Sequence, residues 1–73
     1  MASLDLKNVF SYHAPLAGQN DRYVALRESA RLFAELIVGS TPASREQSVA
    51  LTNVQQAVMW ANAAIAINEK ESV

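Results

Sequence analysis

The sequence predicts an all-α fold: an antiparallel helical hairpin with a short N-terminal arm, within a single domain of residues 1–73. Two long segments, 21–38 and 42–68, have no glycine or proline in their interiors, and apolar side chains recur along both at helical spacing. Only residues 39–41 separate them, and helices joined by so short a link must lie side by side. The arm is expected to comprise residues 1–18.

The arm carries two ring side chains, Tyr12 and His13, on a loop that Pro15 stops. A short helical turn is compatible with the pattern of residues 5–10. Apolar side chains are expected to anchor the arm on the helices, namely Leu4, Leu6, Val9 and Phe10. Anchored in this way, the loop offers its two rings for stacking on a flat ligand.

The first helix is expected over residues 21–38. Asn20 or Asp21 can cap its open amides, because short polar side chains accept hydrogen bonds from the first helical turn. Gly39 follows the last apolar position and is the residue type that most often ends a helix. The sequence therefore predicts Gly39 as the end of this helix.

The second helix is expected over residues 42–68, and two N-caps compete for its start. Thr41 can cap it with Pro42 at the first helical position. Ser44 and Gln47 can instead form a capping box one turn later. The sequence leaves both starts open.

Each predicted helix carries two apolar stripes rather than one. The first helix has Tyr23, Leu26, Ala30, Phe33 and Ile37 on one side, and Ala25, Leu32 and Leu36 on nearly the opposite side. The second helix has one stripe of Leu51, Val54, Ala57, Val58, Ala61 and Ile65, and another of Val49, Trp60 and Ile67. A hairpin buries one stripe per helix, and apolar surface left in water costs about 25 cal/mol per Å². We therefore expect an obligate helical homo-oligomer.

The composition narrows the possible functions. Hydrophobic residues make up 51% of the chain, which is high for so small a domain and again favours self-association. The formal net charge of −1 argues against a protein that coats long nucleic acid. The start of the chain lacks the pattern of a signal peptide, and no apolar run reaches the ~20 residues of a membrane span. The lack of cysteine suits a reducing cytoplasm.

The sequence offers no arrangement typical of catalysis. It has one histidine, no cysteine and no glycine-rich phosphate loop. Glu28 and Glu35 could form a carboxylate pair, but their position among arginines is more typical of solvated helix charges. His13 has no second ligand at metal-binding spacing. We expect a binding protein that is not an enzyme and that uses no metal or cofactor.

Arg27 and Arg31 lie one helical turn apart, so their guanidinium groups project from the same side of the first helix. Such a pair can grip phosphodiester oxygens. The alternative is a salt-bridge ladder, because Glu28 precedes Arg31 by three residues and Glu35 follows it by four. The spacing alone leaves both interpretations open.

Three further side chains have alternative roles. The Tyr12 ring can pack on a helix, or it can stack on a nucleobase for ~1–3 kcal/mol. His13 can contact a phosphate or a base edge, although capping the N-terminus of a neighbouring helix is the favoured role. Asn62, inside an apolar face, is expected to form a hydrogen bond that sets the register of a helix contact.

Several fragments of the chain occur in an order and spacing shared with a known family. They are Lys7-Asn8-Val9-Phe10-x-Tyr12-His13-x-Pro15, Arg22-Tyr23-x-x-Leu26-Arg27, Thr41-Pro42-x-Ser44-Arg45-Glu46-Gln47 and Met59-Trp60-Ala61-Asn62-Ala63-Ala64-Ile65-Ala66. Together they resemble the phage anti-CBASS cyclic-oligonucleotide sponges and the related Thoeris anti-defence hairpin-domain proteins. The resemblance spans residues 6–66 and implies a phage-encoded immune-evasion protein in the host cytoplasm.

Proteins of this kind are helical homo-oligomers, often hexamers, that sequester cyclic di- and trinucleotides or cyclic ADP-ribose isomers without cleaving them. The resemblance implies that Tyr12 stacks on a base, that Arg27 holds phosphate and that dinucleotides bind between protomers. A second pocket, for larger rings, is associated with the region of Ser29 and the end of the second helix. Relatives commonly have a basic residue where this chain has Ile67, which puts trinucleotide binding in doubt. The expected ligand contacts are Tyr12, His13, Arg27, Ser29 and Arg31.

Two other functions stay open at this point. A structural or protein-binding helical oligomer would present its second apolar stripe to another protein and would bind no nucleotide. A small nucleic-acid-binding hairpin is disfavoured by the acidic charge balance. Sequestration of a small cyclic nucleotide is the leading prediction.

Overall fold

The computed structural model describes residues 5–69. Over this range the chain forms three helices and no strand: α1, Leu6–Val9; α2, Gln19–Ser40; and α3, Arg45–Asn68. The two long helices pack against each other as a hairpin, which confirms the predicted all-α class. No described helix combines the length and the apolar character that crossing a membrane would require.

Helix α1 is the single helical turn that the sequence predicts within the arm. Asp5 is its N-cap, and its carboxylate accepts a hydrogen bond from the amide of Asn8 at 3.2 Å. Phe10 follows the helix and is exposed rather than packed as an anchor. Of the other predicted anchors, Leu6 is also exposed, whereas Val9 is half-buried. Leu4 lies outside the described residues.

Helix α2 begins two residues before the predicted start. Its N-cap is Gly18 rather than Asn20 or Asp21, and the φ of Gly18 is +81°. Glycine adopts this left-handed conformation without the steric cost that a Cβ would bring. Asp21 lies within the first turn, where its negative charge is favourable near the positive end of the helix dipole.

The end of α2 also lies two residues beyond the predicted position. Gly39 is inside the helix, which continues to Ser40, so the prediction that Gly39 ends it is wrong. Thr41 ends the helix instead, in an extended conformation. Its amide and its hydroxyl both donate to the carbonyl oxygen of Ile37, at 3.1 and 2.7 Å. These bonds satisfy one of the open carbonyls of the last turn.

Helix α3 starts at Arg45, three residues after the predicted start at Pro42, and Ser44 is its N-cap. The Oγ of Ser44 accepts from the amide of Gln47 at 3.1 Å, so the alternative cap at Thr41 is wrong. The Gln47 side chain does not return to Ser44 as in a capping box. Its Nε2 donates to the carbonyl and hydroxyl oxygens of Thr41, at 3.1 and 3.0 Å. Gln47 therefore ties the start of α3 to the end of α2.

The contact between α2 and α3 is thin. Most side chains of the two predicted facing stripes are half-buried there, including Tyr23, Leu26, Ile37, Val54, Val58 and Ile65. Among residues 5–69 no apolar side chain is fully buried, and only Gln19 is, with 3% of its surface exposed. The radius of gyration of 15.6 Å exceeds the roughly 11 Å of a compact chain of this length. The hairpin is therefore elongated and encloses no core.

The predicted facing stripes are not covered along their whole length. Phe33 belongs to the facing stripe of α2, but 55% of its surface is exposed, because a single neighbouring helix covers only part of the width of that stripe. Of the second stripes, the large residues Leu32, Leu36 and Trp60 are exposed. Ile67 is the exception, since it is half-buried beside the arm.

Candidate functional site

An open cleft lies between α2 and α3 at the end of the hairpin that meets the arm. Its volume is about 480 Å³. Its lining residues are His13, Asn20, Tyr23, Val24, Arg27, Asn62, Ala63 and Ala66. The four from α2 lie three, four and seven residues apart, so they share one helical face. We refer to this space as the Arg27 cleft.

Arg27 is exposed at this cleft, and no carboxylate of residues 5–69 forms an ion pair with it. Its side chain also forms no hydrogen bond within this range. Arg22, Arg31 and Arg45, in contrast, each lie beside a glutamate. The guanidinium group of Arg27 can therefore bind an anion without first giving up a partner.

A second cleft, of about 370 Å³, adjoins the first, and we call it the Tyr12 cleft. Its lining residues are Asn8, Tyr12, His13, Ala14, Leu16, Gln19, Ala66, Ile67 and Glu69. His13 and Ala66 line both clefts. Tyr12 is 87% exposed, so its ring is not packed on a helix. The fold thus brings the phenol ring, the imidazole and the guanidinium group of Arg27 to two adjoining clefts.

His13 is oriented by the arm itself. Its Nε2 lies 2.7 Å from the carbonyl oxygen of Asn8 and donates a hydrogen bond to it. This carbonyl belongs to the last residues of α1, so the favoured prediction that His13 caps a helix N-terminus is wrong. Because Nε2 carries the donated proton, Nδ1 is the ring nitrogen left for a ligand.

Arg31 and Ser29 are not among the residues that line these two clefts. Arg31 donates to Glu28 at 3.1 Å and to Glu35 at 2.6 Å, which is the salt-bridge ladder that the spacing left open. The hydrogen bond that Arg31 donates to Glu28, followed by the charges of both glutamates, raises the pKa of Arg31 above its ordinary value. Ser29 lines a separate apolar groove between α2 and α3, about 720 Å³ in volume, together with residues such as Phe33.

A polar cluster joins the start of α2 to the end of α3. The Oε1 of Gln19 accepts from the amide of Leu16 at 2.9 Å, and its Nε2 donates to Glu69 at 3.0 Å. Arg22 donates to both carboxylate oxygens of Glu69, at 2.7 and 2.5 Å. The hydrogen bond from Arg22, followed by that from Gln19, lowers the pKa of Glu69 to about 2. Glu69 is therefore ionised when it holds these two side chains.

Some residues of the site are not identified from the sequence. Asn20 and Tyr23 lie seven and four residues before Arg27, so helical spacing could have found them. For Asn62 the sequence predicts a hydrogen bond at a helix contact, but its Oδ1 makes none within residues 5–69. This oxygen is buried. Gln19 and Glu69 are 50 residues apart, and no local signal connects them.

The two clefts supply groups that bind phosphate and flat rings. Arginine recognises phosphate through a fork of N–H donors, and an exposed phenol ring can stack on a base. In the part of the chain that the structure describes, no group of three or more histidine, cysteine, aspartate or glutamate side chains could hold a metal ion. These are groups of the kind that an anionic, ring-containing molecule would require.

The sequence model of the Acb2/Tad1 hairpin domain matches residues 3–66 of this chain. That range includes the arm with Tyr12 and His13, all of α2 and most of α3. No curated protein and no solved structure matches the chain. The family match agrees with the two-helix fold and confirms the resemblance to the anti-CBASS and anti-Thoeris sponges: the chain belongs to the Acb2/Tad1 hairpin-domain family.

Proposed function

We propose that this protein sequesters cyclic oligonucleotide second messengers of bacterial immunity, in pockets between the protomers of a homo-oligomer, without cleaving them. The proposed ligands are CBASS-type cyclic dinucleotides, with cyclic trinucleotides and cyclic ADP-ribose isomers as alternatives. The proposed setting is the cytoplasm of a host infected by the phage that encodes the protein. Membership of the Acb2/Tad1 hairpin-domain family supports this function.

The observation that carries the proposal is the guanidinium group of Arg27, which has no ion-pair partner among residues 5–69 and lines an open cleft together with His13. A free arginine can give a phosphate two parallel hydrogen bonds, each stronger than a bond between neutral groups. The exposed ring of Tyr12 lies in the adjoining cleft, where stacking on a base would contribute ~1–3 kcal/mol. Recognition of a phosphate and a base by neighbouring side chains is what a nucleotide ligand requires.

A pocket between protomers follows from the thinness of the hairpin. The Arg27 cleft is open to solvent, and residues 5–69 have no closed interior that could surround a dinucleotide. A second copy can supply the missing wall. The exposed side chains of Leu32, Leu36 and Trp60 provide apolar surface for that association. A hexamer is the proposed assembly.

Ser29 is proposed as an additional ligand contact for larger rings, and Arg31 as a further phosphate contact. Arg31 would have to exchange Glu28 or Glu35 for a phosphate. Exposed ion pairs of this kind contribute only ~0–1 kcal/mol, so a phosphate can compete for the guanidinium. Ser29 is two residues after Arg27 but lines other spaces, namely the apolar groove and a smaller groove that Arg22 also lines.

Isothermal titration calorimetry with cyclic dinucleotides, cyclic trinucleotides and cyclic ADP-ribose isomers tests the proposal. Replacing Arg27→Gln should weaken binding by about 2 kcal/mol, on the order of thirtyfold, since a charge-assisted bond is lost. Arg45→Gln is the matched control, because Arg45 is an exposed arginine at the start of α3, whereas the Arg27 cleft lies near the end of that helix. Equal losses in the two variants would contradict a specific role for Arg27.

Variants of Tyr12 test the proposal independently. Tyr12→Phe keeps a ring that can stack, whereas Tyr12→Ala removes it, so only the alanine variant should lose ~1–3 kcal/mol of binding free energy. Ligand released by heat denaturation should be chemically intact. Recovery of a linear or hydrolysed nucleotide would contradict sequestration.

The exposed apolar stripes favour a second candidate function, a structural or protein-binding helical oligomer. A ligand that binds only the folded state raises its melting temperature, by an amount set by ligand concentration relative to Kd. The second candidate predicts no such rise with any cyclic nucleotide. It also predicts that Tyr12→Ala leaves every binding property unchanged.

A further inference from the structure

The segment that carries Tyr12 and His13 is tied down at both of its ends, and both ties lead to the last turn of α3. Asn8, on one side of this segment, bonds to Ile67. Gln19, on the other side, bonds to Glu69. The segment between Asn8 and Gln19 is therefore attached at both ends, to two residues that lie two positions apart at the end of α3. We call Asn8 and Gln19 the two supports of this segment.

The first support is Asn8, which connects three parts of the molecule. Its Nδ2 donates to the carbonyl oxygen of Ile67 at 2.9 Å. This carbonyl lies in the last turn of α3, where carbonyls have no partner within the helix. The backbone carbonyl of Asn8 accepts the hydrogen bond from the His13 ring at 2.7 Å. Asn8 therefore places the imidazole relative to α3 through two consecutive bonds.

The second support is Gln19, whose carboxamide has both of its ends in use. Its Oε1 accepts from the amide of Leu16, while the backbone amide of Gln19 donates to the carbonyl of Leu16 at 3.1 Å. Its Nε2 donates to Glu69, which Arg22 holds through both carboxylate oxygens. Only 3% of the surface of Gln19 is exposed, and its carboxamide is bonded at both ends, so the carboxamide has one orientation. It fixes where the arm ends and α2 begins.

The Tyr12 ring has no packing of its own to hold it, since 87% of its surface is exposed. Its position is therefore set by the ends of the segment rather than by contacts of the ring. A binding side chain that is held in place before the ligand arrives loses less conformational entropy on binding, and the affinity is higher for it. The two supports are thus a means of preorganising the ring and the imidazole.

We propose that Asn8, Gln19 and Glu69 are positioning residues, which hold the Tyr12–His13 segment on the end of α3 in the orientation that meets the ligand. This inference rests on the proposed function and deepens it. None of the three needs to touch the nucleotide. Their removal should weaken binding while α2 and α3 stay paired.

Exchanging the carboxamide and the carboxylate between positions 19 and 69 tests the second support. Gln19→Glu keeps an oxygen to accept from the Leu16 amide, but it removes the donor to Glu69 and brings two carboxylates together. The dissociation constant for a cyclic dinucleotide should rise about tenfold, as expected if one molecule in ten keeps the segment in place. Adding Glu69→Gln restores one donor and one acceptor in reversed order. The double variant should recover most of the affinity.

Two further variants complete the design. Asn8→Asp removes the donor to Ile67 but leaves the backbone bonds that cap α1 and hold His13, so it tests the first support alone and should also weaken binding. Glu46→Gln removes the same charge as Glu69→Gln at the opposite end of α3 and should bind as the unmodified protein does. If Glu46→Gln weakens binding as much as Gln19→Glu or Asn8→Asp does, the proposal is overturned.

Nuclear magnetic resonance of the same variants separates a displaced segment from a damaged fold. The ring resonances of Tyr12 and His13 should shift in Gln19→Glu and return in the double variant, while amide resonances along α2 and α3 keep their positions. Unchanged affinity together with shifted ring resonances would overturn the positioning role. If the unmodified protein binds no cyclic nucleotide, the proposed function fails, and the ring resonances still decide whether these residues hold the segment. If Gln19→Glu unfolds the protein, the affinity and the ring resonances of Asn8→Asp decide whether the positioning role is correct.

Discussion

At the scale of single residues, the partners of each arginine decide what it can bind. Arg31 has a glutamate three residues before it and another four after it, and the structure pairs it with both. Arg27 has no acidic residue at either spacing, and it is unpaired within residues 5–69. That difference was visible in the sequence. The pairing of Arg22 was not, because Glu69 lies 47 residues further along the chain.

Asn62 provides a residue-scale test of stability. Its Oδ1 is buried without a hydrogen-bond partner among the described residues, and such a group costs ~1–3 kcal/mol. Asn62→Leu keeps four side-chain heavy atoms branched at Cγ and removes the polar ones, so we expect the free energy of unfolding to rise by about 1 kcal/mol in urea denaturation. A loss of stability would mean that the carboxamide has a partner in the assembled protein.

The ionisation of Glu69 gives a prediction about acid. Its pKa is lowered from 4.5 to about 2 by its bonds with Arg22 and Gln19, so the unfolded chain takes up this proton more readily than the folded chain does. The stabilisation is complete above pH 4.5 and is lost as the pH falls through about 2. Melting temperatures should therefore fall less over this window in Glu69→Gln than in the unmodified protein. Parallel pH profiles would contradict the prediction.

At the scale of the helices, capping residues decide where each helix begins and ends. The sequence offers several candidate caps for an end but does not indicate which one is used. Residues near both ends of α2 qualify as caps, and the structure selects Gly18 and Thr41 over Asn20 and Gly39. For α3 it selects Ser44 over Thr41. Which candidate is used depends on how the link between the helices folds. The Gln47 side chain bonds to Thr41 only because the two helices already meet there.

The two glycines of the chain predict opposite effects of the same substitution. Gly39 lies inside α2 with open space where a Cβ would stand, so Gly39→Ala should stabilise the protein by about 0.5–1 kcal/mol. Gly18 has a φ of +81°, which strains any residue with a Cβ, so Gly18→Ala should destabilise it by about 1 kcal/mol. Thermal denaturation of both variants measures this. A loss of stability in Gly39→Ala would restore the sequence-based prediction that Gly39 ends the helix.

At the scale of the whole molecule, the protomer exposes more surface than a compact protein of its mass. Its accessible surface is 6061 Å², against roughly 4,400 Å² for a compact monomer of 7.9 kDa. Large apolar side chains contribute to this surface, including Trp60 with 73% exposed. The hydrophobic effect favours covering such surface, and this is the physical basis of the proposed homo-oligomer.

Self-association can be tested through Trp60. The unmodified protein should sediment as an oligomer, and its melting temperature should rise with protein concentration. Trp60→Glu introduces a charge into the exposed stripe and should shift the protein to smaller species. Gln55→Glu adds the same charge at another exposed position of α3 and is the control. A single protomer at all concentrations, for the unmodified chain, would remove the basis for pockets between copies.

The sequence by itself determined the helical class, the hairpin and the surplus of apolar surface, because these follow from local propensity, a short link and the spacing of side chains. It also singled out Arg27, Tyr12 and His13. Only the tertiary structure decided that His13 bonds to the arm and that Gln19 meets Glu69. Gln19 and Glu69 are 50 residues apart in the chain. Their contact depends on where the arm folds against α3, and local sequence carries no record of that.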